Sequence, residues 1–100
     1  MLDIRKEMNG GELFIALEGK LDTVTAPELE KEMKESIESA DKLIWDLKKL
    51  EYISSAGLRV LLSAQKIMNR KGDMIVKDPS EEVMEIFEVT GFSDILTISK

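Results

Sequence analysis

Residues 43–62 read LIWDLKKLEYISSAGLRVLL, and the pattern of this stretch changes halfway along its length. The part from Leu43 to Leu47 is short and apolar, which is typical of a mostly buried β-strand. Residues 50–53 read as a short connector. From Ser54–Ser55 to about Asn69, the apolar residues recur at helical spacing. A strand that is followed by a helix, in a chain that repeats the pattern, is typical of an α/β fold.

The 18 residues at the N-terminus alternate as two strands do. Leu2 and Ile4 mark the first strand, and Leu13, Ile15 and Leu17 mark the second with a period of two. The segment between them, Asn9-Gly10-Gly11, is typical of a tight turn because glycine tolerates positive φ. The sequence therefore predicts an N-terminal β-hairpin.

A first helix is predicted after a loop that spans Gly19 to Thr25. Thr25 is a candidate cap, and Glu28 stands three residues after it, as in a capping box. Pro27 suits the first helical turn. The helix then carries Leu29, Met33 and Ile37 along one side.

The remaining chain predicts a third buried strand at 74–76, a short helix and a last strand at 95–98. The helix opens with a capping box at 78–81, in which Pro79 takes the first helical position, and it ends at Gly91. The order is therefore β-β-α-β-α-β-α-β. We expect a single α/β domain over residues 1–100, with a mixed β-sheet, an N-terminal hairpin and helices packed on the sheet.

The composition excludes several classes of function. The 100 residues contain no Cys and no His, which excludes disulfides, thiolate nucleophiles and a Ser-His-Asp triad. The sequence also has no calcium-loop spacing and no cofactor motif. We therefore expect no catalytic residues, no metal site and no cofactor, so the protein is predicted not to be an enzyme.

The charge of the chain favours a protein partner. The net charge is −6 and the basic residues are scattered, which argues against direct binding of nucleic acid or of an anionic membrane. The longest apolar runs are far shorter than the ~20 residues of a membrane span. The N-terminus lacks the basic-then-apolar order of a signal peptide. These features predict a cytoplasmic protein.

Two segments are candidates for a functional site. The segment 52–58 places Ser54 and Ser55 at a helix start, where only one serine is needed as a cap. A small, open helix N-terminus offers N–H groups and partial positive charge to an anion, such as a phosphate carried on Ser55. The second segment, 19–27, contains Asp22 and Thr23. The plainer interpretation makes both segments capped helix starts, with Asp22 as a solvated turn residue.

Together these segments resemble the paired signatures of the STAS-domain family, specifically of the bacterial anti-sigma-factor antagonists. Gly19-x-Leu21-Asp22-x-x-Thr25-Ala26-x-x-Leu29 is similar to the family's loop-to-helix motif. The run from Leu50 to Leu62 is similar to its phosphorylation-loop motif, and Phe87-x-Val89-x-Gly91-Phe92 resembles the end of its third long helix. The resemblance spans essentially the whole chain, in order and with matching spacing.

The resemblance implies a phosphorylation-switched protein-binding module. Ser55 falls on the phosphoacceptor of the family motif. Ser54 falls on the family's aspartate, so a second hydroxyl replaces an acidic neighbour. The implied partner-binding and switch residues are Asp22, Thr23, Ser54, Ala56 and Gly57.

The implied partner is an anti-sigma factor that is also a serine kinase and brings its own ATP and magnesium. The unphosphorylated antagonist would sequester this kinase and release sigma factor, phosphorylation would dissociate the complex, and a phosphatase would reset it. A second interpretation stays open, in which the chain is a structural STAS subunit of a lipid-transport or signalling assembly. In that role the Ser55 region would be a docking surface that is not phosphorylated.

Overall fold

In a computed structural model, which describes residues 1–99, the chain forms one five-stranded sheet with three α-helices and a short 3-10 helix. The strands are β1 (Leu2–Asn9), β2 (Glu12–Leu21), β3 (Lys42–Ile53), β4 (Asp73–Lys77) and β5 (Ile98–Ser99). The helices are α1 (Ala26–Ile37), α2 (Ser55–Met68) and α3 (Glu81–Thr90), and the 3-10 helix is Phe92–Asp94. The predicted order β-β-α-β-α-β-α-β is confirmed.

The five strands lie side by side in chain order. β1 is antiparallel to β2, and β2 to β5 are parallel to one another. Each helix connects two adjacent parallel strands, and such crossovers are right-handed. Since every crossover moves in the same direction along the sheet, all three helices lie on one face. The opposite face carries no helix of residues 1–99.

The core lies between the helices and this covered face. In register, Leu13, Leu43 and Met74 form one row across β2, β3 and β4, and all three are buried. The next covered row centres on Trp45, which is fully buried. Buried side chains of α1, such as Met33, join the same apolar cluster. Full burial of a large apolar side chain contributes about 1.5–3 kcal/mol to stability.

The predicted connector at 50–53 is wrong, because β3 continues without a break to Ile53. Two bulges in β3 cause the discrepancy: Ala16 pairs with Asp46 but Glu18 pairs with Lys49, and Gly19 pairs with Leu50 but Lys20 pairs with Tyr52. Each extra residue moves the apolar period by one position, so the first bulge brings Leu50 to the core face and the second brings Ile53 there. The strand therefore ends directly before Ser54. β2 likewise runs on to Leu21, where a loop was predicted.

Two smaller predictions also need correction. Pro79 does not start α3: Ser80 is its N-cap, with an extended backbone, and Pro79 precedes the cap. The last strand is Ile98–Ser99 and does not begin at Ile95, because Phe92–Asp94 forms a 3-10 helix that turns Leu96 into the core. Over the described residues, no helix combines the length and the apolar character that crossing a membrane requires.

Candidate functional site

The start of α2 divides its two serines between two roles. Ser54 is the N-cap: its backbone is extended, and its Oγ accepts a hydrogen bond from the Gly57 N–H at 3.4 Å. Ser55 is the first helical residue, and it is exposed. Within residues 1–99, the Ser55 hydroxyl has no hydrogen-bond partner in the protein. The capping role therefore falls on Ser54, and the Ser55 hydroxyl is free.

Gly57 lets the first turn of α2 approach the sheet closely. A Cβ at this position would lie 2.6 Å from Leu21 Cγ and 2.8 Å from Ile53 Cγ1, both in buried side chains. Carbon atoms in a well-packed core sit at about 3.5–4.0 Å, so any larger residue would force the helix or the strand ends to move. Gly57 thus sets the distance between the first turn of α2, which carries Ser55, and the ends of β2 and β3.

The loop between β2 and α1 is organised by Asp22 and not by the predicted Thr25 cap. Asp22 Oδ1 accepts hydrogen bonds from the backbone N–H groups of Val24 and Thr25, both at 3.0 Å. The Thr25 hydroxyl accepts from the Asp22 N–H at 2.9 Å and makes no capping bond to α1. The predicted capping box at Thr25 is therefore wrong. Asp22 is not merely a solvated turn residue either, because its carboxylate holds the loop together.

The same hydrogen bonds set the charge of Asp22. The backbone N–H of Thr25 lowers the pKa of this carboxyl group most strongly, and the Thr25 hydroxyl and the Val24 N–H lower it further. Asp22 is consequently ionised at neutral pH. Its three loop hydrogen bonds all use Oδ1, so Oδ2 can accept from another molecule.

The sheet brings the two candidate segments together. The last residues of β2 and β3, Leu21 and Ile53, are in register. The backbone N–H of Ser54 donates to the carbonyl of Leu21 at 2.9 Å. Asp22 and Ser55, which are distant in sequence, each lie one residue beyond this bond. We call the resulting surface the serine edge; it comprises residues 22–24 and 54–57.

One exposed apolar side chain lies within the serine edge and another borders it, and neither was singled out from the sequence. Val24 is 85% exposed, and Tyr52, two residues before Ser54, is 45% exposed. Exposed apolar groups beside a polar centre are typical of protein-binding surfaces. Tyr52 could have been noticed inside the segment 52–58. Val24 gave no signal, because loops often contain an isolated valine.

Within the serine edge, the start of α2 carries partial positive charge, whereas Asp22 contributes a negative charge. The first turn of α2 has no acidic residue. In the described part of the chain, the N–H groups of Ser55 and Ala56 have no acceptor, as expected for the first residues of a helix. The helix dipole adds a partial positive charge there. No group of three or more acidic side chains within residues 1–99 is arranged to hold a metal ion.

The fold and the serine edge together define a STAS-type regulatory domain. The sequence model of the STAS-domain family matches residues 3–100, so the chain belongs to this family.

Relatives and solved structures agree with this assignment. The anti-sigma F factor antagonist of Paenibacillus polymyxa is 32% identical over 100 residues, which cover 97% of this chain and 86% of the relative. The crystal structure of an anti-sigma factor antagonist from Mycobacterium paratuberculosis has a TM-score of 0.90 at 22% identity, covering 99% of this chain and 86% of that one. The Bacillus cell fate determinant SpoIIAA in its phosphorylated form has a TM-score of 0.77 at 20% identity, covering 98% and 92%. These structures share the fold.

Proposed function

We propose that this protein is an anti-sigma factor antagonist: a cytoplasmic protein-binding module, and not an enzyme, that is switched by phosphorylation of Ser55. The observation that carries the proposal is the division of labour at the start of α2. Ser54 caps the helix, and the next hydroxyl is exposed, unbonded and placed at a helix start without acidic residues. The name of the Paenibacillus polymyxa relative supports the same function.

The partner that we propose is an anti-sigma factor with serine kinase activity. The unphosphorylated protein binds this kinase and thereby releases sigma factor. The kinase then transfers the γ-phosphoryl group of its magnesium-bound ATP to Ser55 Oγ, the serine proton is released and ADP leaves. A phosphatase later hydrolyses the ester to serine and inorganic phosphate. SpoIIAA, which shares the fold, has been solved in a phosphorylated form.

Phosphorylation would act on the interface and leave the fold intact. A phosphate adds about −1.5 to −2 charges at neutral pH and disrupts a fitted interface by repulsion and desolvation. A thousandfold loss of affinity requires only about 4 kcal/mol. The start of α2 itself accommodates the anion, because a negative group at a helix N-terminus is stabilised by about 0.3–1 kcal/mol.

The other residues of the serine edge would form the surface that the partner reads. Asp22 presents Oδ2 as an ionised acceptor, which suits a basic side chain of the partner. Thr23 and Val24 are exposed beside it, and Tyr52 provides an aromatic contact. Ala56 has a small side chain and Gly57 has none, so neither residue covers Ser55. Gly57 contributes indirectly, through its packing against Leu21.

The test is to locate the phosphate. The protein is incubated with ATP and an extract of its source cells, and the products are mapped by peptide mass spectrometry. We expect one phosphate, on Ser55, that disappears in Ser55→Ala. Ser54→Ala is the matched control and should still be modified. A phosphate confined to Ser54, or one that survives Ser55→Ala, would contradict the proposal. A protein that binds its partner but is never modified would instead be a structural STAS subunit.

A further inference from the structure

The face of the sheet that carries no helix has an apolar centre. Phe14, Ile44 and Ile75 lie in register across β2, β3 and β4. They alternate with the buried residues of their strands, so they project away from the helices. All three are partly exposed, and they do not belong to the side chains that pack against the core cluster. We call this surface the open face.

Charged residues surround this centre, and the two halves of the open face have opposite sign. Acidic residues predominate on the half formed by β1 and β2, which carries Asp3, Glu7, Glu12 and Glu18 against Arg5 and Lys20. Basic residues predominate by a smaller margin on the half formed by β3 and β4, which carries Lys42, Lys48, Lys49 and Lys77 against Asp46, Glu51 and Asp73.

No ion pair within residues 1–99 joins two of these charges. The ion pairs of residues 1–99 join Lys6 to Glu32 and Glu35, and Lys34 to Glu30. Lys6 pairs in register with the buried Ile15, so it lies on the helix-covered face. None of these ion pairs involves the open face. Charges of both signs therefore remain available there to a second molecule.

A surface with one acidic half and one basic half is complementary to itself. We propose that two copies of this chain associate face to face through their open faces. The pattern of charges selects the symmetry: a two-fold axis parallel to the strands, between β2 and β3, places the acidic half of one copy over the basic half of the other. An axis perpendicular to the strands would place like charges together. Closed two-fold pairing of this kind is the commonest form of oligomer.

In this arrangement the register of the sheet specifies the contacts. Phe14 and Ile44 occupy one row, so Phe14 of each copy faces Ile44 of the other. Glu12 shares a row with Lys42, and Glu18 shares one with Lys49, so each carboxylate faces the ammonium group of the other copy. An apolar contact is thus flanked on both sides by ion pairs. The same register places Arg5 of each copy over Lys77 of the other, and this like-charge contact weakens the association. Because the axis runs along the strands, both serine edges lie at the same end of the dimer.

The face has the size found in weak, transient complexes. Four strands about 4.8 Å apart, at about 3.4 Å per residue, give a face of roughly 20 by 25 Å. Two such faces bury about 1,000 Å², the low end of specific interfaces. We expect a dissociation constant on the order of 10–100 µM that weakens as salt is added.

Sedimentation velocity of the purified protein, from about 1 µM to 1 mM at low salt, tests this proposal. We expect the sedimentation coefficient to rise from the monomer value toward the dimer value. Phe14→Asp should weaken association at least about tenfold, the change that removal of one central anchor produces. Val89→Asp is the matched control, because Val89 is 82% exposed on α3; it should leave association unchanged. A wild-type protein that stays monomeric at about 1 mM overturns the proposal.

Paired charge reversals keep the test decisive if Phe14→Asp does not fold. The variants Glu12→Lys/Glu18→Lys and Lys42→Glu/Lys49→Glu each make both halves alike in sign. Each variant alone should be monomeric, with the circular dichroism spectrum of the wild type, and an equimolar mixture should form a heterodimer. Dimers of either variant alone, or a mixture that stays monomeric while the wild type dimerises, would show that this charge pattern does not direct association.

Discussion

The helices α2 and α3 share the same kind of cap but differ in how that cap is tied to the sheet. Each has a serine N-cap whose hydroxyl accepts from the N–H group three residues later: Ser54 from Gly57 at 3.4 Å, and Ser80 from Val83 at 3.3 Å. The Ser80 hydroxyl also donates to the carbonyl of Leu50 at 2.7 Å, which ties α3 to β3. Ser54 has no such second bond among the described residues.

The first helical residues carry the main difference. Two acidic residues, Glu81 and Glu82, form the start of α3, whereas Ser55 and Ala56 occupy the same positions in α2. Carboxylates stabilise a helix N-terminus, so Glu81 and Glu82 offset the partial positive charge at the start of α3. The start of α2 is left without a negative charge. Acidic residues thus stabilise the start of α3, whereas the uncharged start of α2 suits the proposed phosphate on Ser55.

Among single substitutions at the helix starts, we expect the largest change in the free energy of unfolding at Gly57, the third residue of α2. Gly57→Ala should destabilise the protein by about 1–3 kcal/mol, because the new methyl group overlaps Leu21 and Ile53. Urea denaturation measures this change. The neighbouring Ala56→Ser is the control and should change the free energy of unfolding by less than about 0.5 kcal/mol. A Gly57→Ala variant as stable as the wild type would show that α2 does not need its close approach.

Removal of each serine cap should destabilise the protein by a different amount at α2 and at α3. Ser54→Ala should lower the free energy of unfolding by about 1 kcal/mol, the usual value of an N-cap. Ser80→Ala should lower it by about 2 kcal/mol, because the bond to the Leu50 carbonyl is lost as well. Urea denaturation of both variants beside the wild type measures the two losses. Equal losses would mean that the bond to Leu50 contributes little.

Grafting a carboxylate onto α2 tests the electrostatic difference directly. Ala56→Glu copies the position of Glu82 and should raise the free energy of unfolding by about 0.3–1 kcal/mol at low salt. Glu82→Ala in α3 should lower it by a similar amount. Thermal melts at two salt concentrations measure both effects. If Ala56→Glu destabilises the protein at low salt, the start of α2 is not the open positive end that we describe.

The smallest effect concerns the start of α1, which Asp22 organises. Because hydrogen bonds from the loop hold the pKa of Asp22 below its ordinary value, its ionised form stabilises the folded state. This contribution is full above the unfolded pKa and is lost as the pH falls through the folded pKa. The difference in melting temperature between wild type and Asp22→Asn should therefore be constant near neutrality and shrink below about pH 4. A difference that grows under acid conditions would contradict this assignment.

The sequence predicts the elements of the fold well because its periods are clear. Leu13, Ile15 and Leu17 alternate, and the helices keep apolar residues at helical spacing. The extension of β3 was not predictable, because two bulges, one between Asp46 and Lys49 and one between Leu50 and Tyr52, interrupt the alternation that identifies a strand. The cap of α1 was mispredicted for another reason. Asp22 and Thr25 both suit a turn, and only the folded loop shows which side chain binds the backbone.

Only part of the candidate site could be predicted from the sequence. Residue types alone placed two serines at a helix start, and the family resemblance singled out Ser55. The separation of roles between Ser54 and Ser55 needed the hydrogen bond to Gly57. The packing role of Gly57 depends on Leu21, a residue distant in sequence, so no local pattern could reveal it.

The most direct test of the central claim compares partner affinity with thermal stability in four forms: wild type, phosphorylated wild type, Ser55→Ala and Ser55→Asp. The phosphorylated form should bind the anti-sigma factor at least about a thousandfold more weakly, a change of about 4 kcal/mol. Its melting temperature should equal or slightly exceed that of the unmodified protein, because the start of α2 accommodates the charge. Ser55→Ala should bind fully, and Ser55→Asp should lose affinity only in part, because a carboxylate carries less charge than a phosphate. Loss of helix signal together with loss of binding on phosphorylation would contradict the account, because the switch would then be an unfolding event.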